Sequence, residues 1–364
     1  MHERTRRRVL TASGAAAVSV MGLSGCVGQS SPSGNDSANG TNNEVENSSA
    51  GGGSSSGGEL TVAYVPIYPN MQHYIMQEEG YYDALDTEVT AKRFSDGPSV
   101  VKAFASDEVD VALFGVTPAM VLTDKGKQAD VLAANSRNGF RVMATNAFGD
   151  LYADQHGDAF SAFEKREGRK VTFGVPPDGS VPDIALRYWI ERDLGLGELE
   201  SVVDKVTVSP AKAPQTMGSG GVDATMIQEP FATVIENEQG FGEVAWSGDI
   251  LPGHPVTVTF VQNSVPRDIA EGFVEQHSKA TKFVRKNPKK AAEDAAAVIG
   301  SGVSTDLARK AIDSQASDFL SDPHEVRTQS KTMARLVEEI GNTESVVSPK
   351  QLFDFSVYDA VSKR

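Results

Sequence analysis

One cysteine, Cys26, stands in a chain of 364 residues. A disulfide within the chain needs two cysteines and a thiolate metal cluster needs more, so neither can form. The six histidines (His2, His73, His156, His254, His277 and His324) are scattered with no i,i+4 pair, and no metal site is expected from them. From Glu59 onward there is no G-x-S-x-G, no Walker A sequence and no H-E-x-x-H. That removes the usual signatures of an activated serine, a phosphate cradle and a zinc protease, so neither catalysis nor a cofactor is expected. Positive charge is scarce as well: 34 basic residues face 49 acidic ones, a formal net charge of −15. Nucleic acid as a partner is excluded, because phosphate binding needs clustered Lys and Arg, and Lys286, Lys289 and Lys290 are too few. No apolar run reaches the roughly twenty residues that a membrane-spanning helix requires.

What is present begins with an address. Thr5-Arg6-Arg7-Arg8-Val9-Leu10 resembles the twin-arginine export signal. A mildly apolar run from Ala12 to Leu23 follows, and Leu23-Ser24-Gly25-Cys26 resembles a lipobox, in which the cysteine thiol accepts a lipid. Residues 1–26 are thus expected to be a signal with its lipidation site at Cys26. Residues 27–58 are Ser, Gly and Asn with acidic side chains, a composition that buries nothing. Such a linker has a root-mean-square reach of roughly 30 Å. It carries the sequons Asn35, Asn39 and Asn47. Without the signal, 30 basic and 48 acidic residues remain, a formal charge of −18. The expectation is a lipid-anchored acidic globule on the outer face of the cytoplasmic membrane.

From Glu59 the chain reads as α/β. Leu60–Val65 is apolar on both faces, as in a strand covered by helices. Met71–Glu79 and Pro98–Ser106 read as helices, and Val109–Phe114 as a strand. Thr117 is expected to cap a helix that starts at Pro118. Val131–Ala134 and Phe140–Thr145 are further strands, and 148–170 is polar and turn-rich. A second α/β unit runs from Val171–Val175 through the loop Pro176–Ser180 to a strand at Val222–Ile227. The two units share a local pattern: Val109-Asp110 and Val222-Asp223 each open a buried strand after a short helix. Val256–Gln262 then returns to the first unit, and helices follow at 267–286, 288–299, 305–319 and 323–340. Two such lobes form a cleft, with loops at the carboxyl ends of strands facing into it.

These stretches resemble the solute-binding proteins of ABC importers for nitrate, taurine and aliphatic sulfonates, with their thiamine-precursor-binding relatives. The resemblance covers about residues 59–320. It is carried by LTVAYVP, Glu79-Gly80-Tyr81-Tyr82, Ala103–Ala112, Gly115-Val116-Thr117-Pro118, Gly174-Val175-Pro176 with Gly179-Ser180, and Val222-Asp223-Ala224 with Glu229-Pro230. It implies a two-lobed periplasmic-binding-protein fold (type II), each lobe a mostly parallel sheet flanked by helices, with C-terminal helices on lobe one. Lobe one would be 59–146 and 254–364, and lobe two 147–253. It also implies a monomer that captures a small molecule and docks on a permease with its ATPase. The acidity and the lipobox match the haloarchaeal lipoprotein type. A ligand-sensing lipoprotein that addresses a membrane receptor is the other reading. Fungal pyrimidine synthases of similar fold are like enzymes with a cysteine-rich iron site, which a chain with one cysteine lacks, although His73 stands on the first helix.

The resemblance implies ligand contacts at Tyr68, Asn70, Gly115, Thr117 and Pro118 in lobe one, and at Gly179, Ser180 and Glu229 in lobe two. Helix N-termini favour anions, yet Asp178 and Glu229 stand near the same mouth, with Arg137 as the nearest counter-charge. A zwitterion or a neutral polar heterocycle therefore competes with nitrate or a sulfonate as ligand.

Overall fold

Eleven strands form among the described residues, 58–299 and 303–364 of the computed structural model: Glu59–Tyr64 (β1), Glu88–Arg93 (β2), Val111–Gly115 (β3), Ala129–Arg137 (β4), Arg141–Thr145 (β5), Val171–Val175 (β6), Val203–Thr207 (β7), Ala224–Ile227 (β8), Phe241–Trp246 (β9), Pro255–Gln262 (β10) and Asp318–Phe319 (β11). The export signal, Cys26, the three sequons and the linker lie outside these residues, apart from Gly58.

The strands make two sheets, ordered β11-β4-β10-β3-β1-β2 and β7-β6-β8-β5-β9. Leaving out β11, the orders are the same, with β1, β2, β3, β10 and β4 matching β6, β7, β8, β5 and β9. In the first sheet β1 runs parallel to β2 and β3, while β10 lies antiparallel to β3 and β4. In the second, β6 is parallel to β7 and β8, and β5 is antiparallel to β8 and β9. Each sheet is thus mixed rather than mostly parallel. The reason is an exchange of strands: β5 follows the first lobe in sequence but completes the second sheet, and β10 follows the second lobe but completes the first. The crossing lies at 138–140, before β5, rather than at 146.

The Val-Asp repeat has a matching geometry in both lobes. Asp110 N donates to Thr61 O at 2.9 Å, and the Asp110 carboxylate accepts from Thr61 N at 2.8 Å. Asp223 N donates to Thr172 O at 2.9 Å, and its carboxylate accepts from Thr172 N at 2.8 Å. A short carboxylate at the head of β3 or β8 therefore pins its neighbouring parallel strand, which is why both units carry aspartate at that place.

The two crossings lie side by side and are bonded together. Asn138 holds φ at +55°. Its N–H donates to His254 O at 3.1 Å, its carbonyl accepts from Trp246 Nε1 at 2.8 Å, and its side-chain oxygen accepts from Gly253 N at 2.7 Å. This knot ties the two crossings together where the lobes meet.

Two expectations are corrected by the packing. Residues 148–170 contain the helices Asn146–Gln155 and Ala159–Glu167, held by the buried rings of Phe148, Phe160 and Phe163. The helix from Thr305 stops at Ile312, and Phe319 lies instead in the edge strand β11 against Ser136. Helix Arg267–Lys286 packs on Met71–Glu78 in lobe one, as expected for the C-terminal part. Helix Arg327–Glu339, however, touches both Val116–Asp124 of lobe one and Val181–Tyr188 of lobe two. Its Met333, Ala334, Leu336 and Val337 join one apolar cluster with residues of both lobes.

Candidate ligand-binding cleft

Four loops at strand ends converge between the lobes: those after β1 and β3 from one side, and those after β6 and β8 from the other. They enclose about 890 Å³. Val65, Ile67, Val101, Phe114 and Val121 of lobe one face Pro176, Pro177, Val181 and Pro182 of lobe two across it, with Phe140 from the crossing. The walls are largely apolar, as in pockets that bury most of a small ligand's surface.

Of the expected contacts, Gly115, Pro118, Gly179 and Ser180 line this space. Thr117 stands just behind it. The helix begins at Val116 with Gly115 as its N-cap, so Thr117 lies in the first turn and caps nothing. Its hydroxyl reaches across the cleft and donates to Gly179 O at 2.7 Å. Gly179 takes φ +77° at the tip of its loop, and a Cβ there would run into the Asn342 amide nitrogen. Only glycine suits both conditions.

The other expected contacts are engaged elsewhere. Tyr68 is 1% exposed, its hydroxyl donates to Ala308 O at 3.2 Å, and burial pushes its pKa well above the ordinary value. Asn70 donates to Val65 O and Leu113 O, bracing the loop after β1 against β3. Arg137 turns to Asp318 at 2.7 Å and Glu325 at 2.9 Å, away from the cleft. Glu229 is fully buried, pairs with Arg141 at 3.2 Å and accepts from Thr233 N at 2.9 Å. Arg141 also meets Glu236 at 2.8 Å and Glu243. Three carboxylates hold its guanidinium charged and its pKa above the ordinary value, despite burial. Glu229 therefore presents its backbone to the first lobe, where its carbonyl accepts from Tyr68 N at 3.1 Å. It does not oppose an anion in the cleft.

A carboxylate that sequence reasoning missed lies behind the second-lobe jaw. Asp183, 1% exposed at the third position of helix Val181–Tyr188, accepts from Gly179 N at 2.9 Å and pairs with Lys205 at 2.8 Å. It fills the positive end of that helix with charge of its own. Lys205 also holds Asp178, which lies exposed at the rim. Among the described residues Lys125 is the only cationic side chain in the lining; it is exposed, and Asp96, Asp124, Asp178 and Glu344 of the same lining outnumber it.

The polar atoms that do face the interior are uncharged. Gln228, at the end of β8, is 3% exposed and lines the cleft, and its amide bonds to no described residue. Ser180 Oγ is buried without a partner, because helix Val181–Tyr188 receives no side-chain cap from it. Thr343 Oγ1, from the C-terminal part of the chain, is likewise buried without a partner and lines the same space. A buried hydroxyl left unbonded is costly, and two around one cavity, with the Gln228 amide beside them, mark where a ligand would bond. Gln228 was legible as the residue beside Glu229-Pro230, whereas Thr343 carried no local signal.

The sequence profile of the NMT1-like family matches residues 54–300. The chain belongs to the NMT1-like family. Among curated protein sequences none is significantly similar to it. Solved structures share the fold of this NMT1-like chain at low identity. The periplasmic nitrate-binding protein NrtA from Synechocystis PCC 6803 superposes with a TM-score of 0.72 at 14% identity, over 84% of this chain and 88% of that one. The ligand-binding component of an ABC-type import system from Staphylococcus aureus, with zinc bound, gives 0.66 at 16% identity, over 84% and 99%. The alkanesulfonate-binding protein SsuA from Xanthomonas axonopodis pv. citri, bound to MOPS, gives 0.65 at 12% identity, over 81% and 98%. The two-lobed periplasmic-binding-protein fold of the NMT1-like chain is thereby established.

Proposed function

We propose that the chain is the extracytoplasmic solute-binding subunit of an ABC importer, and that it captures a small uncharged or zwitterionic molecule with a partly apolar body. The observation that carries this reading is the lining of the cleft: apolar walls and the unpartnered Gln228, Ser180 and Thr343, with no buried cation. Nitrate and sulfonates carry full negative charge and would need a buried positive partner or a free helix N-terminus. Asp183 occupies the N-terminus on the second lobe, and on the first Pro118 leaves the uncapped start of helix Val116–Asp124 one N–H fewer to offer. A pyrimidine-type heterocycle, flat and edged with donors and acceptors, suits amide and hydroxyl partners and a bed of Val, Phe and Pro. The lining contains neither histidine nor cysteine, so it offers binding rather than a nucleophile with its base.

On this reading Cys26 carries the lipid, export follows the twin-arginine route, and the acidic monomer hands its ligand to a permease and ATPase at the membrane. Isothermal titration of the chain from Val27 onward tests the ligand class. Heat with 4-amino-5-hydroxymethyl-2-methylpyrimidine or uracil, and none with nitrate or ethanesulfonate, is the expected result. Binding of the two anions alone would overturn it. For the anchor, Cys26→Ser should release the protein from the membrane fraction, and continued retention there would refute lipidation at that residue.

A further inference from the structure

The segment that follows helix Arg327–Glu339 does more than end a helix. Gly341, at φ +76°, turns the chain: its N–H donates to Glu338 O at 2.8 Å, and Asn342 N donates to Val337 O at 3.0 Å. That reversal closes the helix with a left-handed glycine and directs the next residues into the mouth of the cleft. Asn342 lies directly on Gly179, where a Cβ would collide with its amide. Thr343 is 7% exposed, and its hydroxyl lines the cavity with no protein partner. Beyond it, Asp124 at the end of the lobe-one helix accepts from Glu344 N at 2.7 Å and from Ser345 Oγ at 3.0 Å. The segment is thus fastened to lobe one and pressed on the lobe-two jaw. Its parent helix spans both lobes, with Glu339 bonded to Arg192 of lobe two at 2.9 Å. The segment and its parent helix lie past residue 300, outside the part of the chain that matches the family.

We propose that Gly341–Ser345 is a third wall of the cleft, one that sets specificity by placing the Asn342 amide and the Thr343 hydroxyl on the ligand and that seats as the lobes close. The wall rests on the neutral-ligand reading above for the chemistry that it recognises. With Gln228 and Ser180 it surrounds the ligand by amides and hydroxyls from three sides, so discrimination comes from matched hydrogen bonds, where a missing partner is penalised.

The test titrates wild type, Thr343→Val, Asn342→Ala and Gln228→Ala with 4-amino-5-hydroxymethyl-2-methylpyrimidine. Thr343→Val keeps the shape and removes only the hydroxyl. Each of the two segment variants should weaken binding by roughly three- to tenfold, as Gln228→Ala does. Weakening by Gln228→Ala alone would overturn the third wall and leave the neutral-ligand reading intact. If the pyrimidine does not bind wild type, that reading falls, and ligand-free maleimide labelling decides the wall. In a Cys26→Ser background, Thr343→Cys should react roughly tenfold more slowly than Val346→Cys, whose site is 44% exposed. Adding Thr117→Val should narrow that gap. Equal rates at the two positions, or a gap unmoved by Thr117→Val, would refute a wall that closes with the lobes.

Discussion

Thr117 Oγ1 donates to Gly179 O at 2.7 Å, so a side chain of one lobe holds the backbone of the other. A second bond between the lobes, Tyr68 N to Glu229 O at 3.1 Å, joins the loops after β1 and β8. With Lys310 Nζ to Glu236 at 2.8 Å and Gln315 Nε2 to Glu243 at 3.0 Å, they fasten the arrangement in which the cavity is formed. The first two use backbone carbonyls of loops after second-lobe strands, so neither depends on ligand.

Thr117→Val removes one fastening without changing the volume of the side chain. The bond contributes about 0.5–1.5 kcal/mol to closure. Small-angle scattering of the ligand-free variant should show a larger radius of gyration than wild type. Affinity for the cognate solute should fall by roughly two- to tenfold, because ligand must then supply the part of closure that this bond contributed. An unchanged radius would mean that this bond does not hold the jaws.

Much of the lobe architecture was legible because the repeat is local. The Val-Asp pairs at 109–110 and 222–223 sit on strands whose burial follows from composition, and the loops after them end in glycine, proline or hydroxyl residues. The family resemblance pointed to the jaw positions Gly115, Pro118, Gly179 and Ser180, which line the cavity. What was illegible depends on partners distant in sequence. Glu229 reads as a free acid beside the cleft until Arg141, 88 residues away, is seen to hold it. Tyr68 reads as a rim aromatic until Ala308 is seen to take its hydroxyl. The segment 341–345 has no periodicity that would mark a wall, and only the positive φ of Gly341 sends it into the cleft. Residues 146–167 were obscured by their polar composition, since three phenylalanines suffice to anchor two helices there.

The knot at Asn138 offers a test that separates conformation from bonding. Asn138 adopts φ +55° and also accepts from Gly253 N. Asn138→Gly keeps access to that conformation and loses only the bond, while Asn138→Ala loses the bond and adds about 1 kcal/mol of left-handed strain. Thermal midpoints should therefore fall in the order wild type, Gly, Ala, with each kcal/mol worth about 2–4 °C. Alanine matching glycine would show that the backbone at 138 carries no strain.

Arg141 is 5% exposed among Glu229, Glu236 and Glu243. Arg141→Met would leave the fully buried Glu229 with the Thr233 N–H alone, whereas Glu236 and Glu243 can relax towards solvent. Stability should drop by roughly 3–5 kcal/mol, read as a lower urea midpoint, and Arg141→Met with Glu229→Gln should recover part of it. A double variant no better than the single one would locate the cost in Glu236 or Glu243 instead.

Acid should weaken the fold before its carboxylates titrate. His73, His254 and His277 are fully buried. Each ring has one bonded nitrogen: His73 Nδ1 with the Tyr82 hydroxyl at 2.7 Å, His254 Nδ1 with Leu251 O at 2.8 Å, and His277 Nε2 with Asn135 Oδ1 at 2.9 Å. The second nitrogen of each has no partner, so a proton added there would be a buried donor without an acceptor. Burial lowers their pKa values to about 3, 4 and 3. In the unfolded chain they titrate near 6.5, so below that pH the unfolded state binds more protons. Their contribution is complete above pH 6.5 and is lost as pH falls towards 3–4, with a slope for each ring that approaches about 1.4 kcal/mol per pH unit. Denaturant midpoints should hold from pH 7.5 to about 6.5 and then decline towards pH 5, in a range where most aspartates and glutamates stay ionised, burial raising the pKa of Asp130, Asp193 and Asp294. A flat profile over that range would mean that the rings charge inside the fold, and the buried arrangement described for all three would then have to be abandoned.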